Sequence, residues 1–157
     1  MYIESDDMKE GGMLKLEHVF NGFGCEGENK VPQISIGNIP VDAKSLALTV
    51  YDPDAPTGSG WWHYIAYNIP TYINKIAKGE SKIAQGVKFG KNDFGTYNYG
   101  GPCPPKGHGK HRYIFTVYAL SVENLELPKD ASPALIGYNL NANSIEKSSL
   151  TAYYERK

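Results

Sequence analysis

The stretch Gly100–Tyr113, GGPCPPKGHGKHRY, constrains the chain more than any other. It holds four glycines, three prolines, a cysteine and two histidines, then runs into the apolar segment Tyr113–Leu120. Proline fixes φ and removes an amide donor, and glycine opens backbone angles that other residues avoid. Such a loop is stiff and closely shaped. It hands His111 to the first residue of a strand, which holds an imidazole at a fixed point. A second stretch matches it: Asp52-Pro53-Asp54-Ala55-Pro56, then Thr57–Gly60, then Trp61-Trp62-His63. The pattern predicts that these two loops meet and build one small polar pocket.

A chain of 157 residues can bury a sizeable core in one domain, residues 1–157. Glycine and proline together number 27, aromatics are 12%, and tyrosines number 12. That profile suits a turn-rich, mostly β chain in sandwich style with few helices, and not a helix bundle. The formal net charge of −1 argues against a nucleic-acid surface, which needs a basic face. No apolar run reaches the length of a membrane span. The N-terminus, MYIESDDMKEGG, is acidic and lacks the apolar core of a leader, so a cytoplasmic setting is expected. Cys25 and Cys103 sit in loops. Reduced thiols are the expectation there, with a bridge between the two loops as the alternative.

Residues 1–12 read as a frayed or edge segment. Leu14, Leu16, His18 and Phe20 alternate, predicting a strand over Met13–Phe20 with His18 as a structural histidine. Asn21–Asn29 is a loop, and Val31–Ile36 is a strand that Pro32 pushes to a sheet edge. Ser45–Tyr51, Trp61–Ile69 and His111–Leu120 are strands. Trp61, His63, Ile65, Tyr67 and Ile69 are expected on one face of theirs. Thr71–Gly79 carries Ile73, Ile76 and Ala77 at helical spacing, predicting a turn or two of helix. Ser81–Tyr99 reads as loop with short extended pieces. Ser132-Pro133 reads as an N-cap with proline at the first helical position, opening a helix over Ala134–Glu146. Leu150–Tyr154 closes the chain as a strand.

Asp52, Asp54, His63, His111 and Tyr113 form the constellation with chemistry in it. Carboxylates near an imidazole favour its charged form, and burial opposes it. With the amides of Gly101–Gly107, such a site is expected to hold a small anion, phosphate or acetate, more tightly at mildly acidic pH. A plain rigid turn and a plain strand connector are the structural alternatives. His63, His108, His111 and Cys103 match no zinc spacing, so no metal is expected. No G-x-S-x-G elbow accompanies Cys103 or Ser59, and GPCPPKG lacks the spacing of a phosphate-binding P-loop. His108, between two glycines, reads as an exposed loop histidine.

Asp52–Pro70 (DPDAPTGSGWWHYIAYNIP) and Tyr99–Leu120 (YGGPCPPKGHGKHRYIFTVYAL) resemble the two signature blocks of the phosphatidylethanolamine-binding protein family, which includes the Raf kinase inhibitor proteins. Gly24–Pro32 and the late helix agree. The form is similar to the compact bacterial and archaeal branch. The resemblance spans about Leu14 to Tyr154 and implies an antiparallel β-sandwich with a few peripheral short helices. It implies a pocket of Asp52, Asp54, Trp61, His63, Cys103, Pro104, Pro105, His111 and Tyr113 for phosphate, acetate or phospho-head groups. It also implies a binding or regulatory role, without a cofactor, rather than an enzyme. Inhibition of a kinase or a serine protease through surface loops is the alternative, and weak hydrolysis or lyase chemistry in the His/Asp pocket a second one. Relatives that pair make a homodimer an expectation. Tyr64 stands where many prokaryotic relatives carry Trp, and His108 is an extra residue in the glycine-rich turn.

Overall fold

Strands dominate the computed structural model, which describes residues 1–157. In chain order they are β1 (Tyr2–Glu4), β2 (Asn21–Gly22), β3 (Cys25–Glu26), β4 (Ile34–Gly37), β5 (Ser45–Asp52), β6 (Trp61–Ile69), β7 (Lys75–Ile76), β8 (Lys88–Phe89), β9 (His111–Leu120) and β10 (Ser144–Tyr154). A 3-10 turn at Leu16–His18 and one helix, α1 (Pro133–Ala142), complete the elements. The main sheet has the order β10-β9-β5-β6-β8, and a second sheet has the order β1-β4-β7. β2 and β3 form a small hairpin. Every strand pair is antiparallel.

Side chains alternate between the faces of a strand, so each apolar strand can serve two layers. Leu46, Leu48, Val50, Phe115 and Val117 point from the main sheet toward Ile3, Ile34, Ile36 and Ile76 of the smaller sheet. That interface is the sandwich core. The opposite face of the main sheet presents Ala47, Ile65, Tyr118 and Leu120, which α1 covers with Ile136 and Leu140. Ser132 caps α1 by accepting the amide of Leu135 at 3.1 Å, and Pro133 follows it. The fold is the antiparallel sandwich that the sequence implied, and β5, β6 and β9 fall where the alternation put them.

Four elements differ from expectation. Met13–Phe20 is not a strand: its only ladder contact is a bridge between Met13 and Tyr153, and Leu16–His18 coils as a 3-10 turn. The alternation misled because Leu16 points to solvent, 60% exposed, while His18 turns inward. Thr71–Gly79 forms no helix. The same apolar spacing serves a turn closed by Ile73 N–H on the Pro70 carbonyl, followed by β7, which places Ile76 opposite Ile34. β4 is central in its sheet rather than at an edge, because Pro32 precedes it and costs it no ladder bond. Finally, α1 ends at Ala142, where Asn143 turns its amide back onto Asn139. β10 then starts at Ser144 and pairs along the whole length of β9. The N-terminal segment is an edge strand, with Ile3 and Met8 buried.

Candidate functional site

The ends of β5, β6 and β9 surround a cavity of about 230 Å³. Asp52 closes β5, Trp61 and His63 open β6, and Tyr113 lies near the start of β9. All four line the cavity, as do Cys103, Pro104 and Pro105 of the proline-rich loop. The two loops do meet. Asp54 and His111 stand behind this wall rather than on it.

His63 is aimed by a β-bulge. Val50 pairs with Tyr64 and Tyr51 with Trp62, so His63 is the extra residue on β6. Bulges of this kind re-aim a side chain beside functional sites. A second irregularity lies between the Ala66 and Ile69 pairings, where Asn68 adopts φ 58. Ile69 therefore joins Tyr64 and Ala66 in the sandwich core, while Ile65 and Tyr67 face α1. The single face expected for β6 is thus split, and His63 packs edge-on against Tyr113 at 5.2 Å between ring centres.

The loop clamps His63 in one tautomer. Its Nδ1–H donates to the Gly100 carbonyl at 2.6 Å, and the Gly100 N–H donates to the His63 carbonyl at 3.0 Å. A carbonyl only accepts, so the proton sits on Nδ1 and Nε2 keeps its lone pair. Burial lowers the His63 pKa to about 4, against the raising effects of the Gly100 carbonyl and Asp52. Of the two opposed effects expected at this site, burial wins, and His63 is neutral near pH 7. Burial, helped by the Asp52 charge, raises the Tyr113 pKa far above its ordinary value, so its phenol keeps its proton.

Asp52 is 3% exposed and its charge is answered on both oxygens. Oδ1 accepts the Asp54 N–H at 2.7 Å, and Oδ2 accepts His111 Nδ1–H at 2.7 Å. His111 Nε2 meets His108 Nδ1 at 2.6 Å. His108 is an exposed loop residue, as expected, but it extends a chain Asp52–His111–His108 from the cavity wall to the surface. Asp54 instead holds Arg112: its carboxylate takes the Arg112 N–H, Nε–H and Nη2–H at 2.8, 3.0 and 2.8 Å. Those bonds keep the Asp54 carboxyl below its usual range.

Cys25 and Cys103 are bridged, with Cα atoms 6.0 Å apart. The expectation of reduced thiols is therefore corrected: the tip of the β2–β3 hairpin is tied to the proline-rich loop. Close backbone approach supports the tie. Gly101 N–H donates to the Asn29 side chain at 2.7 Å, and Phe20 N–H to the Pro102 carbonyl at 3.0 Å. A Cβ on Gly101 would lie 2.1 Å from the His18 carbonyl oxygen, so only glycine fits there.

Phe23 and Phe94 escaped sequence reading. Both line the cavity, and with Phe20 they form an aromatic cluster at its mouth. Phe23 is 70% exposed and adopts φ 53. Phe94 is set by Asn92, whose Oδ1 accepts its N–H at 3.0 Å. Nothing in the patterns of Asn21–Asn29 and Ser81–Tyr99 marks Phe23 and Phe94, because both belong to turns without a period. Ala55, Pro56 and Thr57 of the acidic loop complete the wall.

A two-sheet antiparallel sandwich, with a cavity where a DPDAP loop meets a GPCPP loop, defines the class. The chain belongs to the phosphatidylethanolamine-binding protein family: the family model described by that name matches residues 4–155. The Escherichia coli protein YbcL is 47% identical over 160 residues, 99% of this chain and 87% of the relative. YbhB of the same organism is 40% identical, over 98% of this chain and 99% of its own. The YbcL crystal structure, described as a new member of the mammalian PEBP family, superposes with a TM-score of 0.96 at 44% identity. It covers 99% of this chain and 98% of that one. A carboxypeptidase Y inhibitor, solved with its cognate proteinase, shares the fold at a TM-score of 0.62 and 19% identity. That match covers 99% of this chain and 83% of the inhibitor. No helix is long and apolar enough to cross a membrane.

Proposed function

We propose that the chain is a non-catalytic binding protein whose cavity takes the head group of a small phosphorylated ligand in its singly charged form. The observation that carries this reading is the polar floor itself. It offers one acceptor, His63 Nε2, one donor, the Tyr113 hydroxyl, and a carboxylate, Asp52, already bonded to two N–H groups. A fully ionised phosphate would bring two charges to a carboxylate and a lone pair. A protonated one gives its P–O–H to His63 and accepts the Tyr113 O–H. The apolar part of the ligand then rests on Phe23, Phe94 and Trp61. The acid-side preference comes from the ligand, because His63 itself stays neutral down to about pH 4.

Isothermal titration with inorganic phosphate and O-phosphoethanolamine at pH 5.5 and pH 8 tests the reading. A phosphomonoester dianion takes up a proton and becomes singly charged at about pH 6. Binding is expected to be several-fold tighter at pH 5.5, and His63→Ala to weaken it by tenfold or more. Tighter binding at pH 8, or indifference to His63→Ala, would count against the proposal.

Inhibition of a protease or kinase through surface loops is the second reading, and the exposed Phe23 at the cavity mouth favours it. It predicts that saturating phosphate leaves inhibition unchanged. Hydrolysis through Asp52 and His111 finds less support, since His111 Nε2 is taken by His108 instead of a nucleophile.

A further inference from the structure

His18 is fully buried, and its two ring nitrogens have different fates. Nδ1–H donates to the Lys30 carbonyl at 2.8 Å, which fixes the proton there and leaves the lone pair on Nε2. Nε2 makes no hydrogen bond within the chain. A buried lone pair without a donor is costly and is rarely left so. This one faces two carboxylates. Glu17 Oε1 lies 3.3 Å from Nε2, and one oxygen of Asp7 joins them with all three atoms within 4.8 Å of one another. Three acceptors converging on one point call for a cation between them.

We propose that Asp7, Glu17 and His18 bind a divalent transition-metal ion of the zinc class. Tetrahedral zinc at about 2.0–2.1 Å from nitrogen and oxygen ligands sets neighbouring donors about 3.3 Å apart. The Nε2–Glu17 separation already has that value, and Asp7 closes in by a small side-chain shift. The imidazole selects a transition ion over calcium or magnesium. The supporting contacts are those that metal ligands need. A ligating histidine gives its other N–H to a carbonyl, here Lys30, and a ligating carboxylate is itself hydrogen-bonded. Asp7 Oδ2 accepts the Gln33 N–H at 2.7 Å, leaving Oδ1 toward the site.

Lys78 is the competitor. Its ammonium sits 3.1 Å from Glu17 Oε1 and 3.9 Å from Asp7 Oδ1, and its side chain is 40% exposed. It donates one hydrogen bond, to Glu17, and none to His18 Nε2, whose lone pair stays unmet. A metal ion serves all three, and Lys78 swings into solvent. The ion would join the N-terminal segment, through Asp7, to the 3-10 turn, through Glu17 and His18. The His18 carbonyl also accepts the Tyr99 hydroxyl at 2.8 Å, so the joint lies directly behind the proline-rich loop.

Chelator-treated full-length protein is titrated with zinc chloride, read by calorimetry and thermal unfolding, and with cobalt chloride, read by visible absorption. One zinc per chain is expected, with a raised Tm, and millimolar magnesium and calcium should not compete. Glu17→Gln and Asp7→Asn should each weaken binding at least tenfold. Lys78→Met should tighten it several-fold, and this surface change keeps the test independent of the buried His18. His108→Ala serves as the control and should leave binding as it is. The proposal is overturned if neither wild type nor Lys78→Met binds zinc at one per chain. It is equally overturned if Glu17→Gln binds as wild type does, or if His108→Ala removes the binding.

Discussion

The floor of the cavity works because individual protons are pinned. The carbonyl of Gly100 holds a proton on His63 Nδ1, and the carboxylate of Asp52 holds one on His111 Nδ1. Pinning has a measurable consequence at His63. Its pKa falls from 6.5 to about 4 on folding, because burial disfavours the imidazolium. Between those two pH values the unfolded chain binds a proton that the folded chain does not. Stability is therefore fully present above pH 6.5 and is lost as pH falls toward 4. At roughly 1.4 kcal/mol per pH unit, the loss reaches about 3 kcal/mol. Urea unfolding measured from pH 7 to pH 4 should show this slope, and His63→Asn should flatten it. An equal slope in the variant would place the acid sensitivity on other groups. At the same scale, His111 and Asp54 show what residue identity conveys and what it hides. Both were expected in the pocket and stand behind its wall instead, and only contact geometry reveals that one supports Asp52 and the other holds Arg112.

Elements were legible where one period ruled. β5, β6 and β9 are long, apolar on both faces and bounded by turn residues, so their ends could be read to within a residue. Ser132 was legible as a cap from the proline that follows it, and Ser132→Ala should cost about 1 kcal/mol by equilibrium unfolding. β10 was read only at its end, because its first half, SIEKSS, is polar and takes its stability from the ladder with β9. Least legible was the loop from Asn92 to Gly100, which brings Phe94 to the cavity without a pattern. Asn92 is 3% exposed and organises it alone: Nδ2 donates to Thr96 Oγ1 and the Asn98 carbonyl at 2.9 and 2.7 Å, while Oδ1 accepts from Phe94 and Thr96. Asn92→Ala strands these partners. It should destabilise the protein by about 2–3 kcal/mol and weaken ligand binding through the loss of a fixed Phe94. Unchanged affinity in a folded Asn92→Ala variant would remove Phe94 from the account of the cavity. The bulge at His63 was equally hidden, because a bulge is a property of two strands and their register, and single-strand alternation is silent about it.

At the scale of the whole molecule, the cavity depends on holding together segments far apart in sequence. The Cys25–Cys103 bridge spans 78 residues and joins the hairpin that carries Phe23 to the loop that carries Pro104 and Pro105. Its pairing could not be read from the sequence, since two loop cysteines are compatible with free thiols and only the meeting of the loops brings them within reach. Disulfides persist in oxidising surroundings, so the bridge bears on the cytoplasmic setting that the N-terminus suggested. Closing a loop of this length removes chain entropy from the unfolded state, worth about 4 kcal/mol. The double variant Cys25→Ser/Cys103→Ser should lower unfolding stability by up to that amount and raise the denaturant slope, because the unfolded chain expands once released. The sandwich core, built from Leu46, Val50, Phe115 and their partners, makes no use of the bridge and should survive its loss. The cavity should not survive unchanged, for Cys103 is part of its wall. Phosphate titration of the oxidised protein, the dithiothreitol-reduced protein and the double variant separates the two effects. Weaker binding by both forms that lack the bridge, with far-UV spectra unaltered, would mean that the bridge shapes the site. Equal binding by all three would confine its role to stability.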